Sequence, residues 1–199
     1  MTISLVKGQK VDLTKGNAGL SKITVGLGWD PAESESRGLF GLKKKAANID
    51  CDASVLLLNE QGKLTAGKNV VCFHNLQSPN GSVVHGGDNL TGAGDGDDEQ
   101  IHIDLSAVPA DVHRILAVVN IYDCEARKQH FGLIRSAFIR VFESGSGREL
   151  IRFNLTDNYS GMTALLVGEI YRHGGEWKFS AIGEGAQAPH IDLLARRYS

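Results

Sequence analysis

The chain has 199 residues, of which 42% are apolar and 22% charged, and a formal net charge of −2. That length suits one large domain with a real core. The composition excludes an intrinsically disordered chain, and the lack of a basic excess argues against nucleic acid as a partner.

Three cysteines, Cys51, Cys72 and Cys124, lie far apart with no Cys-x-x-Cys pair. A zinc site, a thioredoxin-type motif and a disulfide framework are therefore not expected. The N-terminus turns polar too early for a signal peptide, and the apolar runs are too short to span a bilayer. These features predict a cytoplasmic protein.

Taken in order, segments 3–6, 10–14, 22–27, 49–58, 70–74, 100–105, 115–122, 137–142, 149–155, 164–171 and 176–182 alternate with a period of two and are rich in Val, Ile, Phe and Tyr. Each is predicted to be a strand. Turn signals such as Pro79-Asn-Gly81 and His173-Gly-Gly175 separate them. Many short strands at this spacing predict an all-β fold, a sandwich of two antiparallel sheets. Helix is expected only at the periphery: a turn at 109–113, a short helix at 124–130 closed by Gly132, and a terminal helix at 191–198. The segment 33–48 stands out as an insertion carrying Lys43-Lys44-Lys45. A solvated loop is its plain meaning, and contact with lipid the alternative.

Between residues 86 and 99 there are five acids, Asp88, Asp95, Asp97, Asp98 and Glu99, and no Lys or Arg. Carboxylates this dense repel one another unless water separates them or a cation joins them. Calcium takes about six to eight oxygens from carboxylates, amides and backbone carbonyls. This loop offers all three kinds: the five acids, the Asn89 amide, and carbonyls at glycines such as Gly92 and Gly94, where the backbone turns tightly. An EF-hand does not fit, because counting from Asp88 places Leu90, Gly92 and Ala93 at the third, fifth and sixth positions. A calcium β-roll would repeat, and five acids would repel a phosphate. A flexible acidic hairpin without ligand is the bland alternative.

In Asn48-Ile-Asp-Cys-Asp-Ala-Ser54, alternation puts Asp50 and Asp52 on one strand face. Two aspartates on an otherwise apolar strand are costly unless paired or bound to metal. Together with the loop they predict one composite region. Its charge suits two neighbouring calcium ions better than one.

These two segments resemble the bacterial tellurium-resistance TerD family, which includes TerE- and TerZ-like calcium-binding stress proteins. So do Val25-Gly-Leu-Gly-Trp-Asp30, Ser78-Pro-Asn-Gly-Ser82, Val108-Pro-Ala-Asp111, Ile121-Tyr-Asp-Cys-Glu-Ala-Arg-Lys128, Gly168-Glu-Ile-Tyr-Arg-His173 and Glu176-Trp-Lys-Phe179. The resemblance runs from Ser4 to about Gly185, leaving 186–199 as a divergent tail. It implies a β-sandwich, calcium held by the Asp-x-Asp strand and the acidic loop, a role in tellurite and general stress resistance, and no enzymatic activity. Other tellurium-resistance or stress proteins are the expected partners; the alternative is a calcium-dependent membrane-surface module at the inner membrane face, in which calcium bridges the acidic loop to anionic lipid and Lys43–Lys45 assists. Ala93 departs from the family pattern, which often has Glu there.

Other residues fit plainer roles. Trp29 and Trp177 are expected in the core. His85 is expected at the surface near the loop, and Asp30 at the edge of the same region. The cysteines could act on tellurite or another oxyanion only if exposed as thiolates; strand positions argue that they are inert.

Overall fold

The computed structural model describes residues 2–31, 49–87 and 96–199. Twelve strands form: β1 (Ile3–Leu5), β2 (Lys10–Asp12), β3 (Lys22–Pro31), β4 (Cys51–Leu58), β5 (Val70–Val71), β6 (Val83–His85), β7 (Glu99–Asp104), β8 (Arg114–Ile121), β9 (Ile134–Glu143), β10 (Glu149–Asn154), β11 (Ala164–His173) and β12 (Glu176–Ala186). They make two six-stranded sheets, ordered β1-β10-β9-β3-β7-β6 and β2-β12-β11-β8-β4-β5. Every pairing is antiparallel except β1 with β10 at the edge of the first sheet.

Alternation decides what each strand buries. Ile23, Val25 and Leu27 of β3, Ile101 and Ile103 of β7, and Ile139 and Val141 of β9 face inward from the first sheet. Val55 and Leu57 of β4 and Ile115, Ala117 and Val119 of β8 meet them from the second. Each fully buried Leu or Ile contributes about 1.5–3 kcal/mol, so this sandwich core dominates the fold.

The second sheet is covered on its outer face as well. Leu56, Leu58, Leu116, Val118 and Ala164 pack against Ile191, Leu194 and Ala195 of helix α2 (Ile191–Ala195). This explains why every residue of β4 is buried, although period-two alternation predicts one solvated face. The terminal segment 186–199 thus belongs to the same packed body.

Two local differences from the sequence expectations stand out. β6 was not expected, because three residues after a turn carry too little alternation. Residues 109–113 make the expected turn, with the Val112 N–H bonded to the Pro109 carbonyl at 3.1 Å. The short helix, α1 (Cys124–Arg127), stops before His130, because Lys128 adopts a left-handed conformation and its N–H closes the turn on Cys124 and Glu125.

β5 pairs only with Val55 and Leu56, so among the described residues no strand pairs with this edge of β4 from residue 53 back. Side chains of the first sheet close it. The Ala53 N–H donates to Glu99 Oε2, and the Ala53 carbonyl accepts from His85 Nε2 at 3.1 Å. The Ile49 carbonyl accepts from Trp29 Nε1 at 3.1 Å. The sandwich is sealed at this corner by polar side chains, and the acidic segments lie there.

Candidate functional site

Asp50 and Asp52 sit on the outer face of the second sheet, where alternation placed them. Asp52 lies opposite Asn120 of β8, whose Nδ2 donates to Asp52 Oδ2 at 3.3 Å. Asp50 has the Arg127 guanidinium at 3.6 Å, brought there by α1. Glu99 comes from the other sheet and points inward, toward the edge of β4. Asp98 precedes it, and its Oδ2 accepts the Trp29 N–H at 2.8 Å. Asp50, Asp52 and Glu99 are 5%, 3% and 2% exposed.

These four carboxylates act electrostatically on one thiol. Burial pushes Cys51 well above the ordinary thiol range, and Asp52, Glu99, Asp50 and Asp98 add to the rise, in that order. The two acidic segments are therefore neighbours, divided between the two faces of the β4 edge. Asp98 is itself pushed up, by burial first and by Asp30 and Asp97 second, against the pull of the Trp29 N–H.

Asp97 behaves differently. The chain turns at Gly96, whose φ is +116°, and carries Asp97 onto the outer face of the first sheet. There Arg140 grips both carboxylate oxygens, Nε to Oδ1 at 2.6 Å and Nη2 to Oδ2 at 2.9 Å, while Gln100 Nε2 donates to Oδ2 at 3.0 Å. The Asp97 side chain is fully buried. Expected from the sequence as a metal ligand, it is held in this structure by an arginine 43 residues away.

The Val25-Gly-Leu-Gly-Trp-Asp30 motif explains how this fits. A Cβ on Gly26 would lie 2.2 Å from Asp97 Oδ2, and one on Gly28 would lie 2.5 Å from the Phe138 ring. The two glycines leave the space into which Asp97 and Phe138 lie flat. Asp30, expected at the edge of the region, accepts from Ser136 Oγ at 2.7 Å.

His85 is buried, contrary to its expected surface placement. Its Nδ1 accepts the Gly87 N–H at 3.2 Å, which leaves the proton on Nε2 for the Ala53 carbonyl. Both ring nitrogens are engaged, Nε2 in closing the strand edge and Nδ1 with the Gly87 N–H. Cys51, Cys72 and Cys124 are all buried, and burial is the main cause raising each thiol. Trp29 and Trp177 are in the core, as expected.

Among the described residues, no three His, Cys, Asp or Glu side chains converge closely enough to hold a metal ion. Asp88, Asn89, Gly92, Gly94 and Asp95 lie outside the described residues, as does the 33–48 insertion with its three lysines. No helix of the described residues is long and apolar enough to cross a membrane.

The fold and this corner define a class: a two-sheet sandwich with oxygen donors gathered at one sealed edge. The TerD domain model matches residues 1–198, and the chain belongs to that family. It is 56% identical to stress response protein SCP2 of Bacillus subtilis (strain 168), covering 100% of both chains. It is 44% identical to tellurium resistance protein TerD of Serratia marcescens, covering 93% of this chain and 91% of that one. A solved TerD homologue from Streptomyces coelicolor A3(2) shares the fold, with a TM-score of 0.66 and 22% identity, covering 91% of this chain and 99% of that one.

Proposed function

We propose that this chain is a non-enzymatic, cytoplasmic calcium-binding protein of the stress response, of the tellurium-resistance type, in which calcium organises the acidic corner for docking to a partner. The observation that carries the proposal is the burial of Asp50, Asp52 and Glu99 at one end of β4, where Glu99 accepts the Ala53 N–H. Buried carboxylates at one strand edge favour a cation.

The donor chemistry selects the metal. Both nitrogens of His85 are occupied, and the Cys51 thiol is buried and pushed up. What remains is hard oxygen, which suits calcium and not zinc or copper. Asp50, Asp52, Asp98 and Glu99 would supply part of the shell. Asp88, Asn89, Asp95 and the carbonyls of Gly92 and Gly94 would supply the rest. Because the described acids are split between two faces of β4, two ions suit them better than one. Bound calcium would join strands of both sheets to the loop and so fix the surface a partner meets.

The test is thermal melting of chelated protein with each metal added back. Calcium should raise the midpoint and magnesium much less, because magnesium demands near-octahedral geometry and keeps its water. An unchanged midpoint at millimolar calcium would remove the proposal.

A further inference from the structure

A cleft of about 510 Å³ opens where β10 ends beside β9. β10 pairs with β9 as far as Asn154 opposite Phe138, and the Leu155 N–H makes the last bond, 2.9 Å to the Ala137 carbonyl. Past that bond, residues 134–136 of β9 have no strand beside them on this side among the described residues. Ile134, Ala137 and Leu155 wall the gap with hydrocarbon, while the exposed Arg135, Thr156 and Asp157 make its polar rim. The volume falls within the range of small-molecule sites, about 300–1,000 Å³.

Arg135 gives the cleft its chemistry. β3 pairs Asp30 with Ser136 and Pro31 with Ile134, so Arg135 is the extra residue of a β-bulge. A bulge takes a side chain out of the regular alternation and re-aims it. Arg135 lines the cleft and has no acidic partner among the described residues. The neighbouring arginines on these strands are already paired, Arg140 with Asp97 and Glu149, and Arg152 with Glu149. Among the described lining residues the only acid is Asp157, and Lys7 neutralises it at 2.8 Å. The cleft therefore sets an uncompensated guanidinium beside hydrocarbon.

We infer that this cleft binds a small carboxylic acid with an apolar body. The carboxylate matches the fork of the Arg135 guanidinium, which can donate two parallel bonds to it. The body lies against Ile134, Ala137 and Leu155. A bare inorganic anion would leave those walls in water, and a neutral or cationic compound would forgo the guanidinium. The lining contains none of Asp50, Asp52, Asp98 and Glu99, so the inference is independent of calcium binding.

The experiment titrates isotope-labelled full-length chain, in chelator, with phenylbutyrate and three comparison compounds. Phenylbutanol lacks the charge, phenylbutylamine reverses it, and acetate lacks the body. Phenylbutyrate should saturate at about millimolar concentration, as expected of a ligand this small. It should shift the amide signals of Arg135, Ala137 and Thr156 and the side-chain Nε–H of Arg135. Each comparison compound should bind at least about tenfold more weakly, and Arg135→Gln should weaken phenylbutyrate by about tenfold, the loss of one charge-assisted contact. Thr156→Trp, which fills the cleft, should abolish saturation. Lys68→Gln, which removes an exposed charge outside the lining, should change nothing. Arg135 and Thr156 are exposed, so both variants should melt with the parent; if one does not, the four compounds on the parent chain still decide. No saturation by phenylbutyrate, equal binding of the alcohol or the amine, an affinity unmoved by Arg135→Gln, or one lowered as much by Lys68→Gln would overturn the site.

Discussion

Replacing Arg140 by Met should destabilise the protein without touching calcium. Arg140 holds both oxygens of Asp97, whose side chain is fully buried, while the arginine itself is 26% exposed. Removing one partner of a buried ion pair costs about 3–5 kcal/mol, because the other charge is stranded. Gln100 still donates to Asp97, and the arginine reaches solvent, so the lower end, about 3 kcal/mol, is expected here. For a chain of this size that lowers the melting midpoint by roughly 6–12 °C. Adding Asp97→Asn should recover much of the loss, since the stranded charge is gone and the amide can still bond. Denaturant melts of the two single variants and the double variant give the coupling. Calcium affinity of Asp97→Asn should match the parent, because its carboxylate faces Arg140 and not the corner around Cys51. A large loss of calcium affinity in Asp97→Asn with an unchanged melting midpoint would refute this reasoning and return Asp97 to the metal.

Gly26→Ala should destabilise more than a strand glycine usually does when replaced, because the new methyl meets the Asp97 carboxylate at 2.2 Å; chemical denaturation measures it. Acid should weaken the first sheet's outer face. Glu149 is held below the usual carboxylate range, by Arg152 first and Arg140 second. Its contribution is therefore present above its unfolded pKa of about 4.3 and disappears as pH falls through the lower folded value, which the difference between Glu149→Gln and parent stability should show. The three thiols should react with Ellman's reagent only after unfolding, since all are buried and raised, and a triple Cys→Ser variant that still folds should keep its calcium response. Rapid labelling of the native protein would contradict the first half.

Much of this fold was legible because its strands alternate cleanly. β3, β7, β8 and β9 carry their inward residues at every second position, and the sequence shows that directly. β6 was invisible because Val83–His85 offers only three residues, and His85 was misplaced with it. Burial of both faces of β4 depends on α2, more than 130 residues later, and no local pattern announces that cover. The acidic region was legible as a concentration of charge, but not in how its members divide. Asp97, Asp98 and Glu99 are consecutive and must diverge, and which one leaves is decided by the turn at Gly96 and by the register that sets Gly26 opposite Arg140. The two glycines of the Val25–Asp30 motif were the available sign that something lies flat across β3. The Asn120–Asp52 pair likewise depends on a register between β4 and β8 that spacing alone does not fix.

Calorimetric titration of the chelated full-length chain with calcium, repeated on Asp98→Asn and Asp52→Asn, tests the central assignment most directly. Two ions per chain are expected, with both variants weakened and their combined effect departing from additivity, as for residues that share a site. At about a hundred times the dissociation constant, bound calcium should add roughly 2.7 kcal/mol of stability per site. No heat of binding at millimolar calcium, or an Asp98→Asn variant that binds like the parent, would contradict it.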